Sequence, residues 1–464
     1  MKMTFALYFG NRGFFPGKLI AGAREELKRA VEKAGYGYIC MDEAETRCGA
    51  VETIAEGKLY NNFLNENRGK YDGVIVCLPN FGDENGVSAA LKDAAVPILI
   101  QAYPDDIGMM DITHRRDAMC GKFAVCNILR QAGIPYTLTK KFTVSPESES
   151  FREDLHRFAA ICRVVKGMRT FNVGAIGART TPFKTVRADE TALQRKGINV
   201  ETVDLSEVFR RMDSVSEGDA DKACDKILSY MEFSGYPEEK LIRLAQLQCV
   251  LEDIIEEYDL QAVALRCWNE IEINLGIAPC ASLSILNEMG VAAACEVDIT
   301  NAVMMRALYL AAGAPSALLD FNNNYGDDAE KAIMFHCGPI PPSMLKKKGR
   351  ISNHSILENS LGNGTGVGIN KGEIKEGPIT VGSIKTENGK IYGFVTEAEF
   401  TNDEIEPAFF GCGKVMKRKS INSVANFMAT NGYKHHLCVV FENYADVIKE
   451  AFKTYLGYEV EEVL

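Results

Sequence analysis

The first third of the chain alternates short apolar runs with amphipathic stretches of helical period. The apolar runs are "TFALYFG", "YGYICMD", "DGVIVCL" and "VPILIQA". Between them, "KLIAGAREELKRAVEKAG" repeats apolar residues every three to four positions, and "DAMCGKFAVCNILRQAG" ends in the glycine that a helix C-terminus favours. Because strands and helices alternate in this way, the pattern predicts a doubly wound parallel sheet.

The same alternation restarts near residue 170. The runs "TFNVGAIG", "INVETVDL", "LQAVALRCW", "GVAAACEVD" and "GAPSALLDFN" predict strands, and "PEEKLIRLAQLQCVLEDIIEEY" predicts one of the helices between them. We therefore expect a second doubly wound α/β domain. The turn "GAIGART" has only part of a dinucleotide-binding fingerprint because the third glycine is missing. An ordinary strand-to-helix turn is the favoured interpretation.

After residue 345 the chain is rich in glycine and in residues that favour strands. The stretch "GPITVGSIKTENGKIYGFVTEAEF" contains "ENGK", a hairpin turn, and "NYADVIKEAFKTYLG" predicts a closing helix. This composition, together with the hairpin turn, indicates antiparallel β structure. We predict three domains: an N-terminal α/β domain (1–168), a central α/β domain (169–345), and a C-terminal β-rich, barrel-like domain (346–464).

Composition and charge narrow the class of partner. Of the 464 residues, 46% are hydrophobic and 25% are charged, as in ordinary globular proteins. The formal net charge of -11 disfavours nucleic acid and anionic membranes, since a polyanion would be repelled. The N-terminal "MKMTFALYFGNRG" lacks the features of a signal peptide, and no apolar stretch is long enough to span a membrane. We expect a cytoplasmic protein with a small-molecule partner.

The 14 cysteines are scattered singly, mostly inside apolar runs. This distribution indicates reduced core thiols rather than disulfides. No pair has CxxC spacing, which disfavours a thiolate zinc site, and the close pair Cys120 and Cys126 is expected to lie along one helix.

Acidic residues end two of the apolar runs. In parallel α/β sheets, ligands bind outside the carboxyl ends of the strands, so these positions are candidates for a site. Glu296 closes "VAAAC" and Asp320 closes "APSALLD". An ionised carboxylate at such a place is costly to bury unless something pairs with it. Asp298, ahead of "ITNAVMMRALYLAAG", suits a helix N-cap, whereas Glu296 still belongs to the predicted strand.

Three of the six histidines lie in comparable places. His336 follows the apolar run in "IMFHCGP", and His435 and His436 precede one in "KHHLCVVF". Carboxylates combined with imidazoles favour Mn²⁺ or a similar divalent ion over zinc. The other histidines are interpreted as structural: His114, His156 and His354.

The ordered motifs "ACEVDI", "GAPSALLDFNNNYGDD", "FHCGP" and "KHHLCVV" resemble the L-fucose isomerase and L-arabinose isomerase superfamily. The motifs "FGNRGFFP" and "LRCWNE" are similar to its L-fucose-isomerase-like branch, so the resemblance covers essentially the whole chain. It implies a metal-dependent aldose–ketose isomerase that uses Mn²⁺, or another divalent ion such as Co²⁺ or Mg²⁺.

By this resemblance, Glu296 and Asp320 match the two metal-binding carboxylates that also supply the acid and the base. His436 matches the C-terminal histidine ligand. His336 matches a further ligand of the arabinose branch that the fucose branch does without. Asp320 stands where arabinose isomerases carry a glutamate, which favours the fucose branch.

The resemblance also implies substrate contacts. Arg12 matches a substrate-binding arginine that a neighbouring subunit supplies in the fucose branch. Phe14 and Phe81 fall at places that line the sugar, Trp268 is expected to pack against it, and His435 to lie beside the ligands or on the substrate. Relatives form hexamers or trimer-based assemblies, so a homo-oligomer with sites between subunits is implied.

The residues also support the chemistry directly. Aldose–ketose exchange moves a proton between C1 and C2 through an ene-diol. A cation is needed to stabilise the oxygens of the ene-diol, and a carboxylate is needed to carry the proton.

Two other classes of protein are disfavoured. A nucleotide-dependent oxidoreductase would need the complete glycine fingerprint. A non-catalytic sugar-binding protein is disfavoured by the acid–histidine set and by the C-terminal β domain.

The sequence leaves the substrate open between a neutral aldose and an anionic one such as sulfoquinovose, whose product would be sulfofructose. The Arg12 guanidinium can bind hydroxyls, but it also pairs with a sulfonate. Four more basic residues are interpreted mostly as surface charges that could join an anion pocket: Arg179, Lys184, Arg187 and Lys434.

Overall fold

The structure, a computed structural model, describes residues 3–406 and 411–463. The chain divides into two compact units. The N-terminal unit comprises the residues up to Lys166 together with Glu450–Gly457, and the C-terminal unit comprises Gly167–Lys449 and the residues from Tyr458 on. The predicted division into three domains stays a prediction.

The N-terminal unit contains a five-stranded, fully parallel sheet in the order β2-β1-β3-β4-β5. Its strands are β1 (Thr4–Phe9), β2 (Gly37–Cys40), β3 (Gly73–Leu78), β4 (Ile98–Ala102) and β5 (Thr137–Leu138). The helices of this part of the chain are α1 (Lys18–Lys33), α2 (Ile54–Glu66), α3 (Glu84–Leu91), α4 (Ala118–Gln131) and α5 (Glu149–Met168), with a 3₁₀ turn at Glu43–Glu45. All residues of β3 and β4 are buried, which explains their continuous apolar sequence.

The C-terminal unit begins with a second parallel sheet, in the order β10-β9-β6-β7. Its strands are β6 (Phe171–Ile176), β7 (Ile198–Val203), β9 (Leu260–Leu265) and β10 (Ala292–Cys295), while β8 (Met231–Glu232) belongs to a separate sheet. The helices are α6 (Glu190–Gln194), α7 (Leu205–Met212), α8 (Glu217–Tyr230), α9 (Glu238–Glu257), α10 (Glu270–Leu275), α11 (Cys280–Glu288) and α12 (Ile299–Ala312), with a 3₁₀ turn at Lys184–Val186. Both predicted parallel sheets are thus confirmed.

The rest of the C-terminal unit is mostly antiparallel β structure. Its strands are β11 (Ala317–Asn324), β12 (Lys331–His336), β13 (Gly349–Asn353), β14 (Val367–Lys371), β15 (Gly377–Glu387), β16 (Lys390–Phe400), β17 (Cys412–Lys417), β18 (His436–Phe441) and β19 (Glu459–Val460). The helices of this part of the chain are α13 (Ser355–Leu361), α14 (Ile421–Thr430) and α15 (Ala445–Glu450), with a 3₁₀ turn at Pro342–Met344. The π-helical segment at Ala451–Leu456 that follows α15 belongs to the N-terminal unit.

Six of these strands close into a barrel in the order β15-β18-β11-β12-β17-β16, with β16 pairing back to β15. The pairings within the barrel are antiparallel, and β19 is added in parallel to β16. Strands β14, β13 and β8 form a separate three-stranded sheet. The predicted barrel-like, β-rich C-terminal fold is confirmed.

One strand assignment was wrong. The sequence placed "GAPSALLDFN" in the second parallel sheet, but β11 is a barrel strand between β12 and β18. The reason is that an apolar run has the same pattern in a buried parallel strand as in a barrel strand whose partners are distant in sequence. Asp320 consequently lies within β11 and not at the end of a parallel strand.

Helix α12 packs between the second parallel sheet and the barrel, since it contacts β9 and β10 as well as β15 and β18. Ten of its 14 residues are buried, and most of these are apolar, as expected of a helix that is covered on more than one side. Gly382 of β15 allows this approach, because a Cβ there would clash with the end of Met304. The predicted cap is confirmed: the Asp298 side chain accepts a hydrogen bond from the backbone N–H of Asn301 at 3.1 Å.

Two smaller expectations concern helices. Cys120 and Cys126 both lie on α4, as predicted. Among residues 3–406 and 411–463, no helix is both long and apolar enough to cross a membrane. The cytoplasmic location stays a prediction.

Candidate functional site

The four predicted metal ligands come together in the C-terminal unit. Glu296 directly follows β10, and Asp320 lies within β11. His336 is the last residue of β12, and His436 is the first residue of β18. Because β11 lies between β12 and β18, Asp320 is directly opposite His436 on one side and Phe335 on the other.

Glu296 occupies the turn from β10 into α12. Its φ is 62° and that of Val297 is 59°, both in the left-handed region that non-glycine residues rarely adopt. The predicted strand therefore ends one residue before Glu296, which corrects its sequence assignment. Such backbone conformations concentrate at functional sites, where they aim a side chain.

Two hydrogen-bonding contacts hold the Glu296 carboxylate. Its Oε2 lies 2.8 Å from Nε2 of His436, and its Oε1 accepts a hydrogen bond from Nε1 of Trp268 at 2.6 Å. Trp268 is therefore a partner of a proposed ligand as well as a candidate sugar contact.

Among the residues that the structure describes, two buried polar atoms at the centre of this site find no hydrogen-bond partner: Oδ1 of Asp320 and Nε2 of His336. Oδ1 of Asp320 lies 3.4 Å from Nε2 of His436 without forming a hydrogen bond. Buried polar atoms are normally satisfied, so each unsatisfied one points to a missing partner. A divalent cation would give Oδ1 of Asp320 a partner, and it would do the same for Nε2 of His336 when that nitrogen carries no proton.

The ligand atoms form two overlapping groups, and the atoms of each group are close enough to bind one ion. Those of Glu296, His336 and His436 all lie within 4.8 Å of one another, and so do those of Asp320, His435 and His436. His436 is common to both groups. An oxygen-and-nitrogen donor set suits Mn²⁺ and related divalent ions, so these residues fit the cation that the sequence resemblance implied.

Electrostatics within the site couple the carboxylates to the histidines. Burial lowers the pKa of His436, but hydrogen bonds to Asp298 and Glu296 outweigh it and raise that pKa to about 10. Burial raises the pKa of Glu296, but its contact with His436 outweighs this and lowers it. The pKa of Asp320 is raised, because burial dominates the attraction of the nearby histidines. Since metal ligands must be deprotonated, metal binding here would release protons.

Aromatic side chains surround the ligands. The ring of Phe183 lies 5.4 Å from that of His436, 5.6 Å from that of His435 and 6.1 Å from that of Trp268. His435 is 48% exposed at its side chain, with Nε2 3.8 Å from Oδ1 of Asp320. Sequence reasoning missed Phe183, although its loop follows β6 and the rule on carboxyl ends of parallel strands would have found it.

The other predicted sugar contacts lie in the N-terminal unit. Arg12 follows β1 and Phe81 follows β3, and the guanidinium carbon of Arg12 lies 4.0 Å from the centre of the Phe81 ring. One guanidinium nitrogen pairs with Oε1 of Glu84 at 2.9 Å. Phe14 is 80% exposed. The structure therefore places the guanidinium group of Arg12 over the ring of Phe81 and leaves the side chain of Phe14 exposed to solvent.

The four additional basic residues differ in their environments. Lys184 and Arg187 are exposed, and Arg179 donates to the backbone carbonyl of Thr180 at 2.8 Å. Lys434 is buried, and its Nζ lies 2.6 Å from Oδ1 of Asp298. The surface interpretation was wrong for Lys434, because Asp298 supplies the counter-ion that makes its burial possible.

Comparisons with known proteins agree with the sequence resemblance. Residues 6–169 match the family model "Fucose/sulfoquinovose isomerase, N-terminal domain", and residues 334–463 match "L-fucose isomerase, C-terminal domain". A sulfoquinovose isomerase of Alkalicoccus urumqiensis is 24% identical over 396 residues, which cover 84% of this chain and 85% of the relative. One of Priestia aryabhattai is 23% identical over 351 residues, which cover 73% and 76%.

These matches span both units and include the segments that carry Arg12, His336 and His436. The chain therefore belongs to the L-fucose isomerase-like superfamily, that of the fucose and sulfoquinovose isomerases, and is an aldose–ketose isomerase.

Proposed function

We propose that this isomerase interconverts sulfoquinovose and sulfofructose with a divalent metal bound by Glu296, Asp320 and His436. Mn²⁺ is the favoured ion, with Co²⁺ or Mg²⁺ as alternatives. One observation carries the metal site: Nε2 of His436 lies 2.8 Å from Oε2 of Glu296 and 3.4 Å from an otherwise unpartnered oxygen of Asp320.

The reaction moves a proton between C1 and C2 through an ene-diol, and negative charge develops on the two sugar oxygens until the proton is returned. A bound divalent cation would stabilise that charge. Glu296 and Asp320 supply the acid and the base, which transfer protons to and from the sugar. Trp268 holds one oxygen of Glu296 through its 2.6 Å hydrogen bond, and this leaves Oε2 directed toward His436.

His336 has a separate place in the proposal. Its Nδ1 accepts the backbone N–H of Cys337 at 2.9 Å. A neutral imidazole that accepts at Nδ1 carries its proton on Nε2 and therefore donates from that atom. We keep His336 as a candidate fourth ligand but expect it to contribute less to metal affinity than His436.

Sugar recognition is assigned to residues of both units. Phe183, Trp268 and His435 surround the ligands in the C-terminal unit. By the family resemblance, Arg12, Phe14 and Phe81 would reach the sugar from a neighbouring copy in a hexamer or trimer-based homo-oligomer. Arg12 would bind the sulfonate with the guanidinium N–H groups that Glu84 does not use.

The sulfonated substrate is supported by the relatives, which are themselves sulfoquinovose isomerases. A neutral aldose such as L-fucose or L-arabinose is the second candidate, and one observation favours it. Glu84 pairs with Arg12 at 2.9 Å and so offsets the positive charge that a sulfonate would need.

The experiment is deuterium exchange at the sugar C2 in D₂O, followed by NMR, with Mn²⁺-loaded protein. The sugars are sulfoquinovose, glucose, L-fucose and L-arabinose, and glucose is the matched control because a hydroxyl replaces the sulfonate. We expect exchange with sulfoquinovose to be at least about tenfold faster than with glucose.

Glu296→Gln should abolish the exchange, whereas Glu270→Gln, at a half-exposed glutamate paired with Arg266, should retain it. Exchange confined to neutral sugars would establish the second candidate. No exchange with any of the four sugars at saturating Mn²⁺ would overturn the proposal.

A further inference from the structure

The first turn of α12 holds His436 at two points. Oδ2 of Asp298 lies 2.8 Å from Nδ1 of His436, and Nδ2 of Asn301 donates to the backbone carbonyl of His436 at 3.0 Å. Asn301 is itself fixed by β15, because its Oδ1 accepts the backbone N–H of Ile384 at 3.2 Å. Asp298 and Asn301 are fully buried, and His436 is 1% exposed.

The two oxygens of Asp298 have different partners. Oδ1 accepts the capping hydrogen bond from the N–H of Asn301 at 3.1 Å and lies 2.6 Å from Nζ of Lys434. Oδ2 has His436 as its partner. An N-cap requires one acceptor oxygen, so capping accounts for Oδ1 and leaves the contact of Oδ2 unexplained.

Lys434 is the counter-ion of this carboxylate. Its side chain is 3% exposed, and it also donates to the hydroxyl of Thr300. A buried carboxylate is tolerated only when it is paired and hydrogen-bonded. Because Lys434 lies two positions before His436, the same segment brings both the counter-ion and the imidazole to Asp298.

We propose that Asp298 is a positioning residue of the metal centre and that Lys434 keeps it in place as an ionised acceptor. By accepting from Nδ1–H, Asp298 ensures that His436 would lose its Nε2 proton when a metal binds, so that the Nε2 lone pair would face the ion held with Glu296 and Asp320. Histidines that bind metals commonly donate their other ring N–H to a carboxylate, which fixes the ring and raises its basicity. The inference rests on the proposed role of His436 as a ligand.

The test separates positioning from capping. Asp298→Ser keeps a good N-cap but is too short to reach His436, and Asp298→Asn keeps the shape and the cap without the charge. The control is Asp204→Ser at the N-cap of α7, where the carboxylate accepts the N–H of Ser206 at 2.7 Å. Mn²⁺ affinity is measured from the EPR signal of free Mn²⁺. The ring tautomer is measured by NMR of ¹⁵N-histidine in the Mg²⁺-loaded protein, which has only six histidines.

We expect Asp298→Ser to weaken Mn²⁺ binding about 10- to 100-fold and to change the Nδ1–H signature of His436. Asp298→Asn should weaken binding about tenfold, and it serves as the test if the serine variant does not fold. Asp204→Ser should bind Mn²⁺ as the wild type does.

Wild-type Mn²⁺ affinity and an unchanged tautomer in both Asp298 variants would overturn the positioning role and leave the proposed function intact. A wild-type protein that binds no Mn²⁺ would instead overturn the proposed metal site, and the inference with it.

Discussion

Asp320 of β11 and His436 of β18 are directly opposed in the barrel, with Oδ1 of Asp320 3.4 Å from Nε2 of His436. The two residues are far apart in sequence and meet through the register of one antiparallel pair. A slip of that register by one residue would send one of the side chains to the other face of the barrel. The meeting of Asp320 and His436, both proposed metal ligands, therefore depends on the register of β11 against β18.

Asp320→Asn should remove a negative ligand from the proposed site. We expect Mn²⁺ affinity to fall at least about tenfold, because the amide keeps the shape of the side chain without its charge. Exchange at C2 should be lost even at saturating Mn²⁺, since the amide cannot accept the proton. Asp403→Asn, at a partly exposed partner of Lys331, is the matched control. Wild-type exchange in Asp320→Asn would contradict the assignment.

The two buried histidines, His336 and His436, should differ in their contribution to Mn²⁺ affinity. His436→Ala removes an imidazole that Asp298 orients at 2.8 Å, and we expect Mn²⁺ binding to be nearly lost. His336→Ala removes a ring whose Nδ1 accepts a backbone N–H at 2.9 Å, so its Nε2 favours donation over metal binding. Mn²⁺ titrations of the two variants measure the loss of affinity in each. Equal losses of affinity would show that both are ligands.

Trp268 is the only tryptophan in the chain, and its indole N–H lies 2.6 Å from Glu296. Paramagnetic Mn²⁺ or Co²⁺ bound at Glu296 should therefore quench the intrinsic fluorescence, and a chelator should restore it. Diamagnetic Mg²⁺ is the control ion and should quench much less. Fluorescence that does not respond to Mn²⁺ while EPR shows binding would place the ion away from Glu296.

Arg12 and Glu296 should complement each other between subunits. Arg12→Ala and Glu296→Gln are each expected to be inactive on sulfoquinovose. If a neighbouring copy supplies Arg12, random mixing of the two variants during coexpression leaves about one site in four with both native residues. Isomerase activity of the purified mixture tests this. Activity no higher than that of the separate variants would show that each site takes both residues from one chain.

Glu272 should make stability depend on pH. It is 1% exposed on α10, neither carboxylate oxygen has a hydrogen-bond partner within residues 3–406 and 411–463, and burial raises its pKa from 4.5 to about 8. Between those values the unfolded chain releases a proton that the folded chain keeps, so stability falls as pH rises, by about 1.4 kcal/mol per pH unit at most.

Glu272→Gln should remove this fall, and the variant should gain stability relative to the wild type as pH rises from about 5 to about 8. Chemical denaturation at both pH values measures the difference, and Glu270→Gln, at a half-exposed neighbour, is the control. A stability difference that is the same at both pH values would contradict the raised pKa.

The apolar runs identified the parallel sheets because strands such as β3 are buried on both faces and have no polar positions to confuse the pattern. The same reasoning failed for β11, whose apolar half resembles a parallel strand. Its partners β12 and β18 are fixed by register, which local sequence does not encode. The rule on the carboxyl ends of parallel strands marks the whole loop after β6 as a candidate, and only the structure shows that Phe183 is the residue of that loop that faces two histidines.

The sequence by itself determined the helix and strand content, the donor types for a divalent ion and, through its ordered motifs, the isomerase family. Only the tertiary structure decided that Glu296, Asp320 and His436 meet, that Lys434 is buried on Asp298, and that the capping residue of α12 also holds a proposed metal ligand. The physical reason is that periodicity reports which face of an element is buried, whereas contacts between distant elements follow from the register of the barrel and the packing of α12 against it.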